Sequence, residues 1–162
     1  MFDRYSHRAR RILFLARLRA GERGAGSIDV KHVIEALILE DQGEFAKMMP
    51  NAGTARRGPS LAPSRSYLGA VPAANILKAL DALSSSGEPI PTSVDMLVTD
   101  ALKRLLDATI ELNDEMHRNT VQPLDILAAT IEKDTTGVAQ ILTNSGLSPE
   151  AVVAAIKSGD FD

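Results

Sequence analysis

The sequence lacks cysteine and tryptophan, and aromatic residues make up only 4% of it. The absence of cysteine excludes a disulfide framework and a metal site built from thiolates. Because aromatics are scarce, the core must be aliphatic, which suits packed helices better than a β-sandwich. No apolar run approaches the roughly 18 residues that a membrane-spanning helix requires. We therefore expect an all-α protein with no membrane partner and a cytoplasmic location.

The remaining composition is that of an ordinary globular domain. The chain has 162 residues, of which 44% are hydrophobic and 24% are charged, and its net charge is −3. This length fits a single domain spanning residues 1–162. The negative net charge argues against a nucleic-acid partner, because such partners are bound mainly through an excess of Lys and Arg.

Positive charge is nevertheless concentrated at the start of the chain. Seven arginines fall within the first 23 residues, whereas acids cluster between residues 107 and 115. One hypothesis is a nucleic-acid-associated helical protein that binds through this arginine-rich segment. The alternative, favoured by the net charge and the lack of an aromatic stacking platform, is a solvated helix face partly paired with the acids of 107–115.

The opening stretch "MFDRYSHRARRILFLARLRAG" has the pattern of an amphipathic helix. From His7 the apolar residues recur mostly at steps of three and four. Ser6 is a suitable N-cap, and Gly21 and Gly24 predict the end of the helix. A secretory signal is excluded, because it needs an uninterrupted apolar core and a small-residue cleavage site. The arginine-rich pattern fits a mitochondrial presequence better, but the segment runs directly into more structured sequence, so we interpret it as the first helix of a domain.

The chain also repeats its own pattern at an offset of 93 residues. Without a gap from Ser6 to Gly53, polar caps and apolar positions match those of residues 99–146. This predicts a duplicated helical unit: a long helix, a loop, a second helix and a shorter helix that ends at glycine. We place repeat one at 1–86 and repeat two at 93–158.

Local signals place the remaining helix ends. Asp29 and the pair Gln122-Pro123 predict the starts of the two second helices, and Ser148-Pro149 predicts the start of the last helix. Gly53 and Gly146 are expected to take the left-handed conformation after the third helices. In repeat one the fourth helix is displaced by a Pro-, Gly- and Arg-rich insert at 54–71 to "PAANILKALDAL", with Ile76, Leu77, Leu80 and Leu83 on one side. Ser93 is the expected cap of the next helix.

These motifs resemble the N-terminal domain of the Clp unfoldases, closest to the ClpC and ClpA type. The resemblance rests on "MFDRYSHRARRILFLA", on Ile28, His32 and an "ALI" segment, and on "GEFAKMMPNAG". It is strong over 1–53, moderate over 93–157 and absent over 54–71. It implies a tandem repeat of two four-helix units related by pseudo-twofold symmetry, about eight helices in all.

The resemblance also implies a function. In the family this domain is a non-catalytic docking module that receives adaptors and substrates of an ATP-driven ring. The chain has no phosphate-loop lysine after "GERGAGS", so we expect no ATPase, no cofactor and no enzyme activity. The polar ending "SGDFD" favours a stand-alone protein acting in trans as an adaptor or decoy. Expected partners are a Clp adaptor, a substrate or a Clp ring.

The family's peptide-binding surface lies where the first helices of the two repeats meet. By position, it implies partner-binding residues on both repeats: Phe2, Arg10, Leu13, Phe14, Arg17, Val98, Lys103 and Asp107. Phe14 lies beside the buried stripe, so it could equally be a binding anchor or a widening of the core. For Phe2, a plug in the core is the favoured alternative.

Two departures from the family pattern bear on its ligand. The family opens each second helix with Gly-Thr-Glu-His, and its Glu is associated with recognising phosphorylated arginine. Here Lys31 and Leu124 occupy the Glu positions, which argues against phosphoarginine binding in the family's manner. The histidines at 7, 32 and 117 stand alone, so we predict a structural role for His32 and no metal site.

Overall fold

The computed structural model describes residues 3–41, 73–83, 87–91 and 96–158, which contain seven helices and a two-stranded parallel sheet. The strands are β1 (Ser27–Ile28) and β2 (Leu97–Val98). The helices are α1 (His7–Glu22), α2 (Val30–Asp41), α3 (Ala73–Ala82), α4 (Asp100–Glu115), α5 (Pro123–Lys133), α6 (Val138–Asn144) and α7 (Pro149–Ser158). The all-α fold expected from the sequence is confirmed.

The two long helices begin in the same way. Ser6 Oγ accepts the amide hydrogen of Ala9, and Thr99 Oγ1 accepts that of Leu102, each at 3.1 Å. These caps satisfy amide groups that have no partner inside the helix. Ser6 and Thr99 are 93 residues apart, and both helices run for 16 residues. The predicted repeat is therefore visible in the helix boundaries.

The two repeats are joined by exchanged strand pairings. β1 pairs with β2 through Ile28 and Val98, and an isolated parallel bridge joins Tyr5 to Val121. Adding 93 to Tyr5 gives Val98, and adding 93 to Ile28 gives Val121, so the two pairings are related by the repeat. In each, the segment before the first helix of one repeat pairs with the segment before the second helix of the other. This reciprocity is what a pseudo-twofold axis requires.

The second helices form the centre of the core. α2 contacts α1 of its own repeat and α4 of the other, while α5 contacts α4 and α1 in the reciprocal way. Both α2 and α5 have buried side chains on nearly every position, which is typical of a helix surrounded by protein. The fourth helices complete the units, because α3 packs on α2 and α7 packs on α5.

Most of the expected helix ends are confirmed. Pro123 is the first residue of α5, Ser148 Oγ caps α7 through the amide of Ala151 at 3.1 Å, and Gly146 is left-handed with φ of 111°. Gly24 is also left-handed, with φ of 69°. Glycine reaches this conformation without the steric cost of a Cβ atom.

α1 ends at Glu22, between Gly21 and Gly24 as predicted, and a Cβ atom on Gly21 would lie 2.8 Å from the carbonyl oxygen of Ile90. Two other expectations were wrong. Residues 96–99 are non-helical and Thr99 caps α4, so the helix does not start after Ser93, which itself lies outside the described residues. Leu83 follows the end of α3 and is 43% exposed, unlike the buried Ile76 and Leu80.

Several predicted features fall outside the described residues. These are the third helix of repeat one, Gly53 and the insert at 54–71. The repeat boundaries at 1–86 and 93–158 accordingly stay a prediction.

Candidate functional site

Phe14 lies at the middle of α1 on its solvent side. Its exposed fraction is 46%, whereas Ile12 and Leu15 beside it are completely buried. Leu13 is half-buried and packs against the edge of the core. Arg10, one turn before Phe14, is exposed, and its Nη2 donates to the carbonyl of Asp3 at 3.3 Å. Phe14 is therefore not part of the buried core stripe.

Arg17, one turn after Phe14, is tied to a linker that runs past the end of α1. Its Nη2 donates to the carbonyl of Pro91 at 2.9 Å. The amide of Ile90 donates to the carbonyl of Gly21 at 2.8 Å, farther along the same helix. A Cβ atom on Gly24 would lie 2.5 Å from the backbone of Gly87, so this close approach requires glycine. The linker over 87–91 thus borders the Phe14 side of α1.

The predicted residues of repeat two lie on β2 and α4. Val98 is half-buried and paired with Ile28, while Lys103 and Asp107 are exposed, one turn apart on α4. Burial raises the pKa of Tyr5 to about 12, the nearby Asp107 carboxylate adds to the rise, and Arg4 opposes it. Asp107 is therefore close enough to act on the charge of Tyr5, which lies in the segment that precedes α1.

The repeat relation connects these two helix faces. Asp107 is the counterpart of Phe14, and Tyr5 is the counterpart of Val98, each at an offset of 93. Because Asp107 acts on Tyr5, the pseudo-twofold relation predicts that Phe14 lies on the β2 side of its helix. Phe2 lies outside the described residues, and a common surface formed by the other predicted residues stays a prediction.

Sequence reasoning missed one apolar residue on this side of the molecule. Leu97 in β2 is 80% exposed, the highest value among the large hydrophobic side chains that the structure describes. Side chains alternate between the two faces of a strand, so Leu97 points away from the face on which Val98 packs. The short alternation around Leu97-Val98 was the available signal, but two residues are too few to identify a strand.

The arginine cluster is largely engaged in ion pairs. Arg8 holds Glu40 through two bonds at 2.7 and 3.2 Å, and Arg11 reaches the same carboxylate at 3.5 Å. Arg19 and Arg23 both bind Glu35, at 3.2 and 2.6 Å. These acids belong to α2, and not to the stretch 107–115 that the sequence suggested.

Arg4 follows the expected pairing with the acidic stretch. Its Nη2 lies 2.8 Å from Asp114 and 2.5 Å from the amide oxygen of Asn113. Because ion pairing depends on proximity in the fold, the charge pattern alone could not select between α2 and α4 as the source of acids.

Buried charge at Glu35 is stabilised by its two guanidinium partners. Burial would raise the pKa of the Glu35 carboxyl, but hydrogen bonds from Arg23 and Arg19 outweigh it and hold the pKa below its ordinary value. The hydrogen bonds that Arg23 donates to Glu35 and Asp81 raise the pKa of Arg23 in turn, although its partial burial opposes this. This cluster is therefore charged throughout the neutral range.

Lys31 and Leu124, which occupy the positions of the family's glutamates, are both engaged within the fold. Lys31 Nζ donates to the carbonyl of Leu83 at 3.1 Å, and Leu124 is 2% exposed in the core. Neither side chain offers a carboxylate to a guanidinium group. Both second helices therefore begin without the carboxylate that the family's motif provides.

His32, next to Lys31, serves as a helix cap. Its Nδ1 accepts the amide hydrogen of Asp29 at 2.9 Å, and its Nε2 is buried without a hydrogen-bond partner among the described residues. Burial lowers the pKa of His32, nearby Lys31 adds to this effect, and Glu35 and Asp29 oppose it. The geometry requires the neutral ring, in agreement with the predicted structural role.

Over residues 3–41, 73–83, 87–91 and 96–158, no three histidine or acidic side chains come together as a metal site would need. In the same part of the chain, no helix combines the length and the apolar character needed to cross a membrane.

Known structures share this architecture. A chain from a study of a malarial protein secretion system is 19% identical, covers 96% of this chain and 94% of its own, and gives a TM-score of 0.71. The N-terminal domain of the chaperone ClpD from Arabidopsis thaliana is 19% identical over 98% of both chains, with a TM-score of 0.67. The Hsp104 N-terminal domain from Candida albicans is 13% identical, covers 94% of this chain and 88% of its own, and gives a TM-score of 0.62.

Identities this low establish a shared fold alone. No curated protein sequence matches the chain. The model of the Clp repeat (R) N-terminal domain, however, matches residues 4–145, which include both first helices, both second helices and α6. With the exchanged strand pairings and the duplicated caps, this match shows that the chain belongs to the Clp repeat (R) N-terminal domain family.

Proposed function

We propose that the chain is a non-catalytic protein-binding module whose docking surface surrounds Phe14. In Clp and Hsp100 unfoldases, domains of this family dock substrates and adaptors. The observation that carries the proposal is the 46% exposure of Phe14 on an otherwise well-packed helix. An aromatic side chain beside arginines is a common anchor of protein interfaces.

The surroundings of Phe14 support this role. Arg10 and Arg17 flank it on α1, and Arg17 donates to the carbonyl of Pro91 in the linker over 87–91. We place the exposed Leu97 of β2 in the same surface, with the half-buried Val98 at its edge. An interface with an apolar centre and a charged rim has this composition. Lys103 and Asp107 extend the charged rim onto α4. The partner is an adaptor, a substrate or a ring subunit of a Clp machine. The module engages this partner in trans, and it acts itself as an adaptor or decoy.

The pairing of the arginines supports protein binding over the nucleic-acid alternative. A phosphate-binding helix keeps its cations available, whereas Arg8, Arg19 and Arg23 are held by carboxylates of α2 and α3. Arg10 and Arg17 adjoin Phe14 and donate to the carbonyls of Asp3 and Pro91, a setting that fits the rim of a protein interface.

A pull-down with a point variant tests the proposal. The chain serves as bait in lysate of its source cell at moderate salt, and the recovered proteins are titrated against wild type and Phe14→Ala. We expect the variant to fold normally and to bind more weakly by about 1–3 kcal/mol. Leu83→Ala is the matched control, because Leu83 has similar exposure outside the proposed surface.

Three results would contradict the proposal. Equal loss in Leu83→Ala would mean that binding follows general surface hydrophobicity. Unfolding of Phe14→Ala by circular dichroism would assign Phe14 to the core. Recovery of mainly RNA or DNA, lost as salt rises, would make the arginine face the functional surface.

A further inference from the structure

Repeat two contains a cavity that repeat one fills. The cavity, about 290 Å³ in volume, opens between α4 and the end of α5. Its apolar lining comes from Ala101, Leu105 and Ala108 on α4. These residues lie on a different face of α4 from Lys103 and Asp107, so the cavity is separate from the surface around Phe14.

The equivalent place in repeat one is occupied by an internal ion pair. Arg8, the counterpart of Ala101, holds Glu40 through bonds at 2.7 and 3.2 Å, and Arg11 adds a contact at 3.5 Å. The Glu40 side chain is only 7% exposed in this setting. Leu15, the counterpart of Ala108, is completely buried. Repeat one thus shows a carboxylate seated against arginine at this position of the fold.

Two kinds of residue difference between the repeats account for the cavity in repeat two. Ala101 and Ala108 are smaller than Arg8 and Leu15, which leaves the volume unfilled. Lys133 replaces Glu40, which removes the carboxylate, while Arg104 retains the cation of Arg11. The cavity therefore keeps one arginine, gains a lysine and loses the anion that repeat one provides for itself.

The two cations of the cavity lack acidic partners. Within the described ranges, no ion pair joins Arg104 or Lys133 to a carboxylate, and both residues are exposed. Asp134 also lines the cavity, but its carboxylate accepts from Thr136 Oγ1 at 2.7 Å and from the amide of Ala139 at 3.1 Å. Asp134 is thereby directed to the start of α6, and the lining keeps a net positive charge.

We infer that this cavity binds an acidic side chain from a peptide segment of a partner protein. The carboxylate would lie between Arg104 and Lys133, as Glu40 lies between Arg8 and Arg11, and neighbouring apolar groups would rest on Ala101, Leu105 and Ala108. A carboxylate accepting charge-assisted hydrogen bonds from Arg and Lys is a strong polar contact. This second site is independent of the surface around Phe14.

Fluorescence anisotropy with matched peptides tests the inference. The probe is a fluorescein-labelled peptide in which glutamate alternates with leucine, and the reference is the same peptide with glutamine for every glutamate. We expect the acidic peptide to bind at least about tenfold more tightly, because hydrogen bonds to charged groups exceed neutral ones. Amide shifts in NMR spectra should change around Ala101, Arg104 and Lys133. Equal affinity for the two peptides, or shifts located elsewhere, would overturn the inference.

Two variants make the test specific. Arg104→Gln with Lys133→Gln should remove the preference for the acidic peptide, while Lys78→Gln, an exposed cation on α3, should leave it unchanged. Ala101→Arg with Lys133→Glu rebuilds the ion pair of repeat one, so it should fold stably and exclude the peptide.

The remaining outcomes are equally decisive. Continued binding by the folded, rebuilt variant would mean that the cavity is not the site. Competition by inorganic phosphate at the same concentration as the peptide would make it a general anion site. Phe14→Ala should have no effect here, which separates this inference from the proposed function.

Discussion

The two repeats share a backbone but cap their second helices with different chemistry. In repeat one, His32 Nδ1 accepts the amide hydrogen of Asp29 at 2.9 Å. In repeat two, the counterpart Asp125 accepts that of Gln122 at 2.8 Å through a carboxylate oxygen. The capping requirement comes from unpaired amide groups at the helix start. It can be met by a neutral ring or by a charged carboxylate, provided that the surroundings suit the group.

Buried charge is likewise placed at different points of the two repeats. Asp125 is completely buried and is bound by Arg118 and Asn113. Repeat one instead buries Glu35, whose counterpart in repeat two is Ala128. The comparison teaches that the duplicated fold fixes where a cap is needed, while each repeat selects its own ion pairs.

The largest expected effect comes from removing the charged cap. Asp125→Ala leaves the amide of Gln122 and the side chains of Arg118 and Asn113 without their acceptor. We expect a loss of about 3–5 kcal/mol in the free energy of unfolding, measured by urea denaturation at neutral pH. Asp114→Ala is the control, because this exposed partner of Arg4 should contribute no more than about 1 kcal/mol. Similar losses in both variants would refute a special role for the buried cap.

A second set of substitutions replaces the buried ion cluster of repeat one with the apolar residues found at the same positions of repeat two. Glu35→Ala alone should cost about 2–3 kcal/mol, since Arg19 and Arg23 lose a buried partner but can turn partly toward solvent. Adding Arg19→Leu and Arg23→Met installs the residues found at 112 and 116 in repeat two. Apolar replacement of a whole buried ion cluster is often neutral or stabilising.

The triple variant should therefore recover most of the stability lost in Glu35→Ala. Thermal and urea unfolding of the single and triple variants measure this directly. If the triple variant is no more stable than the single one, the two repeats do not tolerate each other's core chemistry, and the comparison fails at this position.

The smallest expected effect is a pH dependence confined to the neutral cap. Because the folded pKa of His32 lies below its ordinary value of 6.5, the unfolded chain binds more protons between these two values. The contribution of His32 is thus fully present above pH 6.5 and is lost as the pH falls toward the folded pKa. The slope cannot exceed about 1.4 kcal/mol per pH unit.

Replacement of the histidine isolates this slope. His32→Asn, measured by urea unfolding between pH 4.5 and 6.5, the ordinary pKa values of Glu and His, should flatten it, whereas His117→Asn should leave it in place. His117 is exposed and left-handed with φ of 55°, a conformation that asparagine tolerates. A slope that persists in His32→Asn would locate the titrating group elsewhere.

Much of the fold followed from local patterns in the sequence. The apolar periodicity predicted α1, the offset of 93 predicted α4 and α5, and Ser148-Pro149 predicted α7. The candidate site was harder to predict from the sequence. Phe14 lies at the edge of the apolar stripe of α1, and this position suits a core residue and a surface residue equally. Burial at such an edge depends on which elements pack there, and the apolar pattern of one helix does not specify them.

The charge partners were the least predictable feature. Arg8 and Arg11 pair with Glu40 on α2. Arg104 and Lys133 instead line a cavity at the equivalent position of repeat two. An ion pair requires two side chains within a few ångströms of each other, whatever their distance along the chain. Arg4 illustrates this, because its ion-pair partner Asp114 lies in the other repeat.

The sequence by itself determined the helices, their caps and the duplication, because these depend on residues a few positions apart or on a direct match between two segments. Only the tertiary structure decided the exchanged pairings of Tyr5 with Val121 and Ile28 with Val98, the partners of the arginines, and the filling of one repeat but not the other. Strand pairing, ion pairing and packing volume are set by segments that meet in space, and they exist only once both repeats have closed around α2 and α5.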